Sequence, residues 1–219
     1  TVNNVLTPLA TTDFSSYVAP VLNSGADVLV LNHYGGNMVN SLTNAVQFGL
    51  RDKVVNNKNF EIIVPLYSRL MAKGAGANVK GIFGSTNWHW SLQDEGSKAF
   101  VKSFGTKYGF PPSQAAHTVY CQTLLYADAC NRAGTFNPCG VGEALEGFEF
   151  DGLGNGKTLY RADDHQCFKD VLVVKGKENP TSEFDLLEIV EVTPMEQVKY
   201  APDHPMFAGG DLGACNPGA

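Results

Sequence analysis

The sequence has no C-x-x-C pair and no H-x-x-x-H pair, which removes the local signatures of zinc ribbons, thioredoxin-like redox sites and helical zinc sites. Charge is scarce as well. Only 17% of residues are charged, 16 basic against 22 acidic, and the basic ones form no block. Nucleic acid and anionic membranes are thereby poor partners, and the net charge of −6 speaks for solubility alone. No apolar run nears the roughly 18 residues a membrane span requires, the longest being strand-sized stretches such as Asp27–Leu31 and Val171–Val174. No G-x-S-x-G, P-loop or G-x-G-x-x-G follows a strand; Gly152-Leu-Gly-Asn-Gly156 has the wrong spacing and no helix after it, so it reads as a loop. Internal repeats and low-complexity tracts are also absent.

Apolar residues make up 43% of the 219, enough to bury the core of one large domain or two small ones. Val2–Leu9 reads as a strand with no signal peptide ahead of it, the mark of a mature or clipped start. Phe14, Tyr17, Val18, Val21 and Leu22 then fall on one helical face behind the capping residues Thr12 and Asp13, and Gly25 ends the helix. Asp27–Leu31 is a continuous apolar run, the pattern of a parallel strand buried on both faces. A helix follows with Val39, Leu42 and Val46 inward, then strands at Phe60–Val64 and Val79–Phe83 with a short helix near Arg69–Ala72 between them. This β/α alternation over about ninety residues predicts a parallel sheet with right-handed crossovers.

The pattern then changes. Asp94–Tyr108 is an amphipathic helix closed by Pro111-Pro112. Ser113 opens a longer helix to about Asn131 whose apolar residues run nearly all round, predicting burial. Asn137-Pro138 signals a third helix, ending near Gly147. Strands return at Lys169–Val174 and Phe184–Val192, and the tail from Thr193 lacks periodicity.

In open α/β sheets ligands bind beyond the carboxyl ends of the strands. Here those ends are Asn32-His33-Tyr34, Pro65-Leu66-Tyr67 and Ser85–Trp90, a set of aromatics, amides and hydroxyls with no carboxylate, and Arg69 just beyond. Such a set fits a pocket with apolar walls and a few placed polar groups. Tyr34, Tyr67, Trp88 and Trp90 have a second reading as covers for core edges. Chemistry has weaker support. His165 and Cys167 lie two residues apart, which defines no dyad, and the five histidines form no local metal set. Glu143, Glu146 and Glu149 read as a solvated face. Of the five cysteines, Cys130 and Cys139 bracket a short inter-helix loop; they form a bridge in an oxidising compartment or stay as free thiols in a reducing one, and one cysteine must remain unpaired within the chain.

Thr11-Thr-Asp-Phe-Ser-Ser-Tyr17, then Ser24–Leu31 and Gly35-Gly36, resemble the type I periplasmic substrate-binding proteins of ABC importers, nearest the branched-chain amino-acid (Leu/Ile/Val) group. Val79–Phe83, the helix around Tyr120 and Tyr160-Arg-Ala-Asp-Asp-His-Gln166 are similar too, so the resemblance covers residues 1 to about 192. It implies an α/β fold of two parallel-sheet βα lobes. Residues 1–90 would be a C-terminal-lobe portion, 91–160 an N-terminal-lobe helical portion, 161–192 return strands to the C-terminal lobe, and 193–219 an irregular tail. The family's first segment is missing, which makes the chain the C-terminal part of something longer, with that segment a separate chain in one version.

The implied function is non-enzymatic: a periplasmic solute-binding component of an ABC importer, taking an amino-acid-like solute or a related carboxylate or amide and handing it to the permease. A ligand sensor of the same fold is the alternative. No cofactor and no metal are implied. The ligand contacts carried over are Tyr34 with its neighbour His33, Leu66, Tyr67, Trp88, His89 and Tyr120. Pro65-Leu66 stands where amino-acid-binding members have Pro-Glu, whose carboxylate holds the ligand ammonium. An oxidising compartment makes Cys130–Cys139 the favoured bridge.

Overall fold

The computed structural model describes residues 2–205 and Cys215. Thr1, 206–214 and 216–219 lie outside the described residues, and with them most of the tail expected to be irregular. The chain divides into two compact units. The first is Thr1–His89 with Leu172–Val192, and the second is Trp90–Val171 with the chain from Thr193 on. The return to the first unit thus comes at Leu172 rather than near residue 161.

The first unit opens with α1 (Ser15–Val18), extended by a 3-10 turn through Asn23. Then come β1 (Val28–Val30), α2 (Gly35–Gln47), a small hairpin of β2 (Val54–Val55) and β3 (Lys58–Asn59), β4 (Glu61–Val64), α3 (Arg69–Ala75) and β5 (Phe83–Thr86). After the excursion through the second unit, β9 (Val171–Gly176) and β10 (Leu187–Thr193) complete a sheet ordered β1-β4-β5-β9-β10. β1, β4 and β5 run parallel, as the alternation predicts, and β9 runs antiparallel to β5. Alternate residues of β4 and β9 (Ile62 and Val64, Leu172 and Val174) are buried with Met38, Leu42 and Ala45 of α2 and Met71, Ala72 and Ala75 of α3. The buried face of α2 is therefore one residue out of phase with the expected Val39 and Val46.

Three expectations fail here, each for a stated reason. Val2–Leu9 forms no strand: among the described residues no segment pairs with it, and Leu6 and Leu9 are almost fully exposed. β1 is not buried on both faces, because it is an edge strand with Val28 and Val30 41% and 49% exposed. The strand expected at Val79–Phe83 begins only at Phe83. Gly81, at φ +75°, turns the chain there, and Ile82 N–H donates to Val79 O at 2.9 Å.

The second unit holds α4 (Glu95–Tyr108), α5 (Gln114–Ala133), α6 (Pro138–Leu145) and an antiparallel sheet of β6 (Glu149–Phe150), β7 (Thr158–Tyr160) and β8 (Cys167–Phe168), followed by the short α7 (Met195–Val198). Its helix starts are chemically specified. Asp94, Ser113 and Asn137 each accept a first-turn N–H, and Pro138 takes the first position of α6. α5 and α6 pack through Ala129, Cys130 and Val141, with Ala144 and Leu145 beside them. α5 buries His117, Cys121, Leu125 and Ala129 at four-residue spacing but leaves Val119, Leu124 and Tyr126 exposed, so it is amphipathic by burial although apolar nearly all round by sequence.

The glycine-rich loop 151–156 is anchored on α4. Asp94 accepts from Ser97 N and, more distantly, from Asn155 N; Asn155 Nδ2 donates to Asp170 O. A Cβ on Gly96 would sit 2.2 Å from Gly152 O, so only glycine permits this approach.

The disulfide is not Cys130–Cys139. Cys139, on the first turn of α6, is bonded to Cys215. Cys130 stays a free thiol, its side chain packed in the α5–α6 core, whereas Cys139 is only half-buried on α6. Cys121 and Cys167 are also free.

Candidate functional site at the strand exits

The register Val28↔Glu61, Leu29↔Ile62, Val30↔Ile63 aligns the carboxyl ends of β1 and β4, and Ile63↔Phe83 adds β5 beside them. The ladder extends past the strands: Leu31 N–H donates to Ile63 O at 2.9 Å and Tyr67 N–H to Ser85 O at 2.8 Å. Three loops therefore leave the sheet side by side, 31–34, 65–68 and 87–89. Their flanks are tied down. Ser68 caps α3 by accepting from Met71 N, and the Ser85 hydroxyl donates to Pro65 O.

Tyr34 and Leu66 are the large side chains this edge leaves open, 54% and 59% exposed on neighbouring strand exits. Asn32 is exposed beside them, and Leu70, on the first turn of α3, is 53% exposed. Leu70 went unlisted in the sequence reading; its four-residue spacing from Leu66 is the signal that pointed to it.

His33 is engaged on both ring nitrogens, by Thr7 Oγ1 at 3.0 Å and Ser41 Oγ at 2.9 Å, and its ring lies 4.8 Å from that of Phe14. Burial lowers its pKa. It orients the loop that carries Tyr34 and has no nitrogen to spare.

Tyr67, Trp88 and His89 are all buried. The Tyr67 ring fits because residue 84 is glycine; a Cβ there would lie 2.7 Å from Tyr67 Cβ and Cδ1. The Tyr67 hydroxyl is buried without a hydrogen-bond partner among the described residues, and burial raises its pKa. Leaving such a group unpaired costs about 1–3 kcal/mol. Tyr67→Phe is therefore expected to raise the stability of the first unit by about 1 kcal/mol, read as a higher urea midpoint at unchanged slope. A loss of that size would mean the hydroxyl is paired in solution.

His89 has its pKa pushed down to about 4, first by burial and then by Lys177, with Asp185 opposing and Arg69 adding to the fall. Its imidazole is neutral at pH 7. Tyr120 belongs to the second unit, on α5, stacked on Phe100 of α4 with ring centroids 4.5 Å apart. The structure thus places Tyr34, Leu66 and Tyr67 at adjoining exits of the first unit, with His33, Trp88 and His89 on the same loops, and places Tyr120 in the second unit.

Other chemistry is weakly provided for. His165 Nε2 lies 2.9 Å from Glu146 Oε1, so its ring is paired with that carboxylate. The histidine that does approach a thiol is His117, with Nε2 3.3 Å from Cys121 Sγ and 2.6 Å from Leu153 O. Burial drives that imidazole down to about 4, against the Leu153 bond, and drives the Cys121 thiol up, so both stay neutral instead of forming a thiolate–imidazolium pair. Among the described residues no three metal-ligating side chains converge, and no helix is long and apolar enough to cross a membrane. A groove of about 340 Å³ lies at the opposite, amino end of β4 and β5, where Lys80 and Glu178 pair at 2.7 Å.

A family model described as "Periplasmic binding protein" matches residues 1–181. Among solved structures, a branched-chain amino acid ABC transporter periplasmic ligand-binding protein of Burkholderia xenovorans LB400 is 27% identical, with a TM-score of 0.72 over 90% of this chain and 51% of its own. A periplasmic binding protein of Burkholderia mallei (24% identical, TM-score 0.77, 90% and 51%) has a similar fold. So has an amino acid ABC transporter substrate-binding protein of Pseudomonas fluorescens Pf-5 (23%, 0.76, 88% and 51%). The chain spans about half the length of each of these proteins. No curated protein sequence matches it.

Proposed function

Because the chain belongs to the periplasmic binding protein family, we propose that it serves as part of the extracytoplasmic solute-binding component of an ABC importer, receiving a small organic solute at the carboxyl edge of its five-stranded sheet. The observation that carries this reading is the pair Tyr34 and Leu66, open on adjoining strand exits of a parallel sheet. An apolar side chain and an aromatic face held by a stiff scaffold are the usual walls of a small-molecule site. Tyr67, Trp88 and His89 are buried on the same loops, and Tyr120 lies on α5 of the second unit.

The exits carry no acidic side chain: Asn32–Tyr34, Pro65–Ser68 and Asn87–His89 contain neither Asp nor Glu. A solute ammonium buried here without a counter-charge would cost several kcal/mol, on the order of the penalty for an unpaired buried ion. The part of the solute that meets this edge is therefore apolar, aromatic or amide-like. Once loaded, the protein would pass its solute to the importer's permease.

The test is titration of the ¹⁵N-labelled 219-residue chain with leucine, phenylalanine, glutamate and 4-hydroxybenzoate. Amide shifts confined to loops 31–34 and 65–68 are expected with at least one of them. Tyr34→Ala should weaken that binding by about tenfold, the loss of one aromatic wall. Shifts scattered over the surface, or none with any compound, would overturn the reading.

A further inference from the structure

Two of the three free cysteines, Cys121 on α5 and Cys167 on β8, belong to the second unit's helix and small sheet. Cys167 on β8 is the register partner of Tyr160 on β7, so the two side chains share one face of the small sheet. That face points at α5, because the Tyr160 hydroxyl donates to Gln122 Oε1 at 2.6 Å. Cys121 is the residue before Gln122, and its Sγ lies against Leu153 O at 3.9 Å. Lys169, two residues beyond Cys167, reaches the next carbonyl along that loop: its Nζ donates to Gly154 O at 3.1 Å. α5 and the end of β8 therefore converge on the same two peptide units, one bringing Cys121 and the other Cys167 and Lys169. Cys130 is excluded from the group, since it is buried in the α5–α6 core.

We propose that Cys121 and Cys167 are the site of a second, reversible disulfide that ties α5 to the three-stranded sheet. Cys167 is exposed and open to an oxidant, whereas Cys121 is buried. Oxidation begins when the Cys167 thiol loses its proton and its sulfur attacks the disulfide of an oxidant, releasing one thiolate. Cys121 then loses its proton and attacks the mixed disulfide at the Cys167 sulfur, releasing the second. Two S–H bonds and the oxidant's S–S bond are lost and one S–S bond is made in the chain; the two protons pass through solvent to the two released thiolates, so the oxidant's disulfide takes up two electrons and two protons to become two thiols. The ammonium of Lys169 acts on both sulfurs in the direction that favours thiolate, while burial raises both thiol pKa values. Burial thus slows the thiolate attack that begins the exchange, and Lys169 offsets part of that.

The experiment uses oxidised glutathione as the oxidant. The folded chain is incubated with it, denatured without reductant, alkylated with iodoacetamide and mapped by peptide mass spectrometry. Arg132 and Lys157 lie between the two cysteines, so trypsin separates their peptides unless they are bridged. Joined Cys121 and Cys167 peptides are expected, with Cys130 the one alkylated site. Alkylation of both Cys121 and Cys167, or Cys167 recovered only as its glutathione adduct, would overturn the proposal. Cys130→Ser should leave the bridge in place. Its loss in that variant, with native circular dichroism, would identify Cys130 as the real partner and equally overturn it.

Discussion

Removal of the Cys139–Cys215 bridge is expected to lower the stability of the second unit by about 4 kcal/mol. The two cysteines are 76 residues apart in sequence, and a cross-link that closes so long a loop removes much of the freedom of the unfolded chain. The chain-entropy relation gives roughly 4.5 kcal/mol for a loop of that length, near the top of the range of about 0–5 found for disulfides. The right variant is the double replacement Cys139→Ser/Cys215→Ser, which leaves no odd thiol to mispair. Simple reduction would not isolate this bridge, because it would open one at Cys121 and Cys167 as well. Hydrogen exchange by mass spectrometry reads the effect locally. Protection is expected to fall in α6 and the adjoining end of α5 and to stay unchanged in β4 and β9 of the first unit. Equal protection of α6 in the variant and the parent would show that the bridge contributes nothing to the fold.

Acid should destabilise the first unit by about 3 kcal/mol through His89 alone. The imidazole is buried and neutral, and its folded pKa of about 4 lies below the unfolded value of 6.5. The unfolded chain therefore takes up the proton first as pH falls. The stabilisation is complete above pH 6.5, declines between 6.5 and about 4, and is gone below; a shift of this size corresponds to about 3 kcal/mol. Asp185 works in a lower window. Burial pushes its carboxyl up, but hydrogen bonds from Lys177 and Thr181 hold it below its usual value of 3.8, so its loss follows that of His89. Urea midpoints measured from pH 7 to pH 4 in the parent and in His89→Gln separate the two. The parent should lose stability steeply across that range, and the variant, starting lower, should run nearly flat. Parallel profiles would show that His89 is accessible to protons in the folded state. His117 sets up the same dependence in the second unit, where burial also holds the imidazole near 4.

The local parts of the fold were legible because their causes are local. A helix start needs an acceptor for orphaned N–H groups, and Asp94, Ser113 and Asn137-Pro138 announce theirs in sequence. The parallel order of β1, β4 and β5 follows from apolar runs alternating with helices of the right length. The exits of those strands followed in turn, which is why loops 31–34 and 65–67 could be placed at one sheet edge, as a candidate site, from the sequence. Failures arose where the deciding partner lies far along the chain. Burial of β1 on both faces, burial of α5 all round and pairing of Val2–Leu9 each required a neighbour that sequence periodicity cannot supply, and in the structure these apolar surfaces stand exposed.

Within the site, sequence could name Tyr34, Leu66, Tyr67, Trp88 and His89 but could not sort walls from supports. A residue type fixes what a side chain is able to do; its burial and its partners fix what it does. Tyr34 and Leu66 are left open by the described residues, Tyr67 is closed because Gly84 leaves room for its ring, and His33 is spent on Thr7 and Ser41. The cysteines show the same division. The short inter-helix loop that Cys130 and Cys139 bracket made them the favoured pair in sequence, yet a disulfide forms between sulfurs that the fold brings together. With Cys130 packed in the α5–α6 core, it was the tertiary structure that gave Cys139 to Cys215.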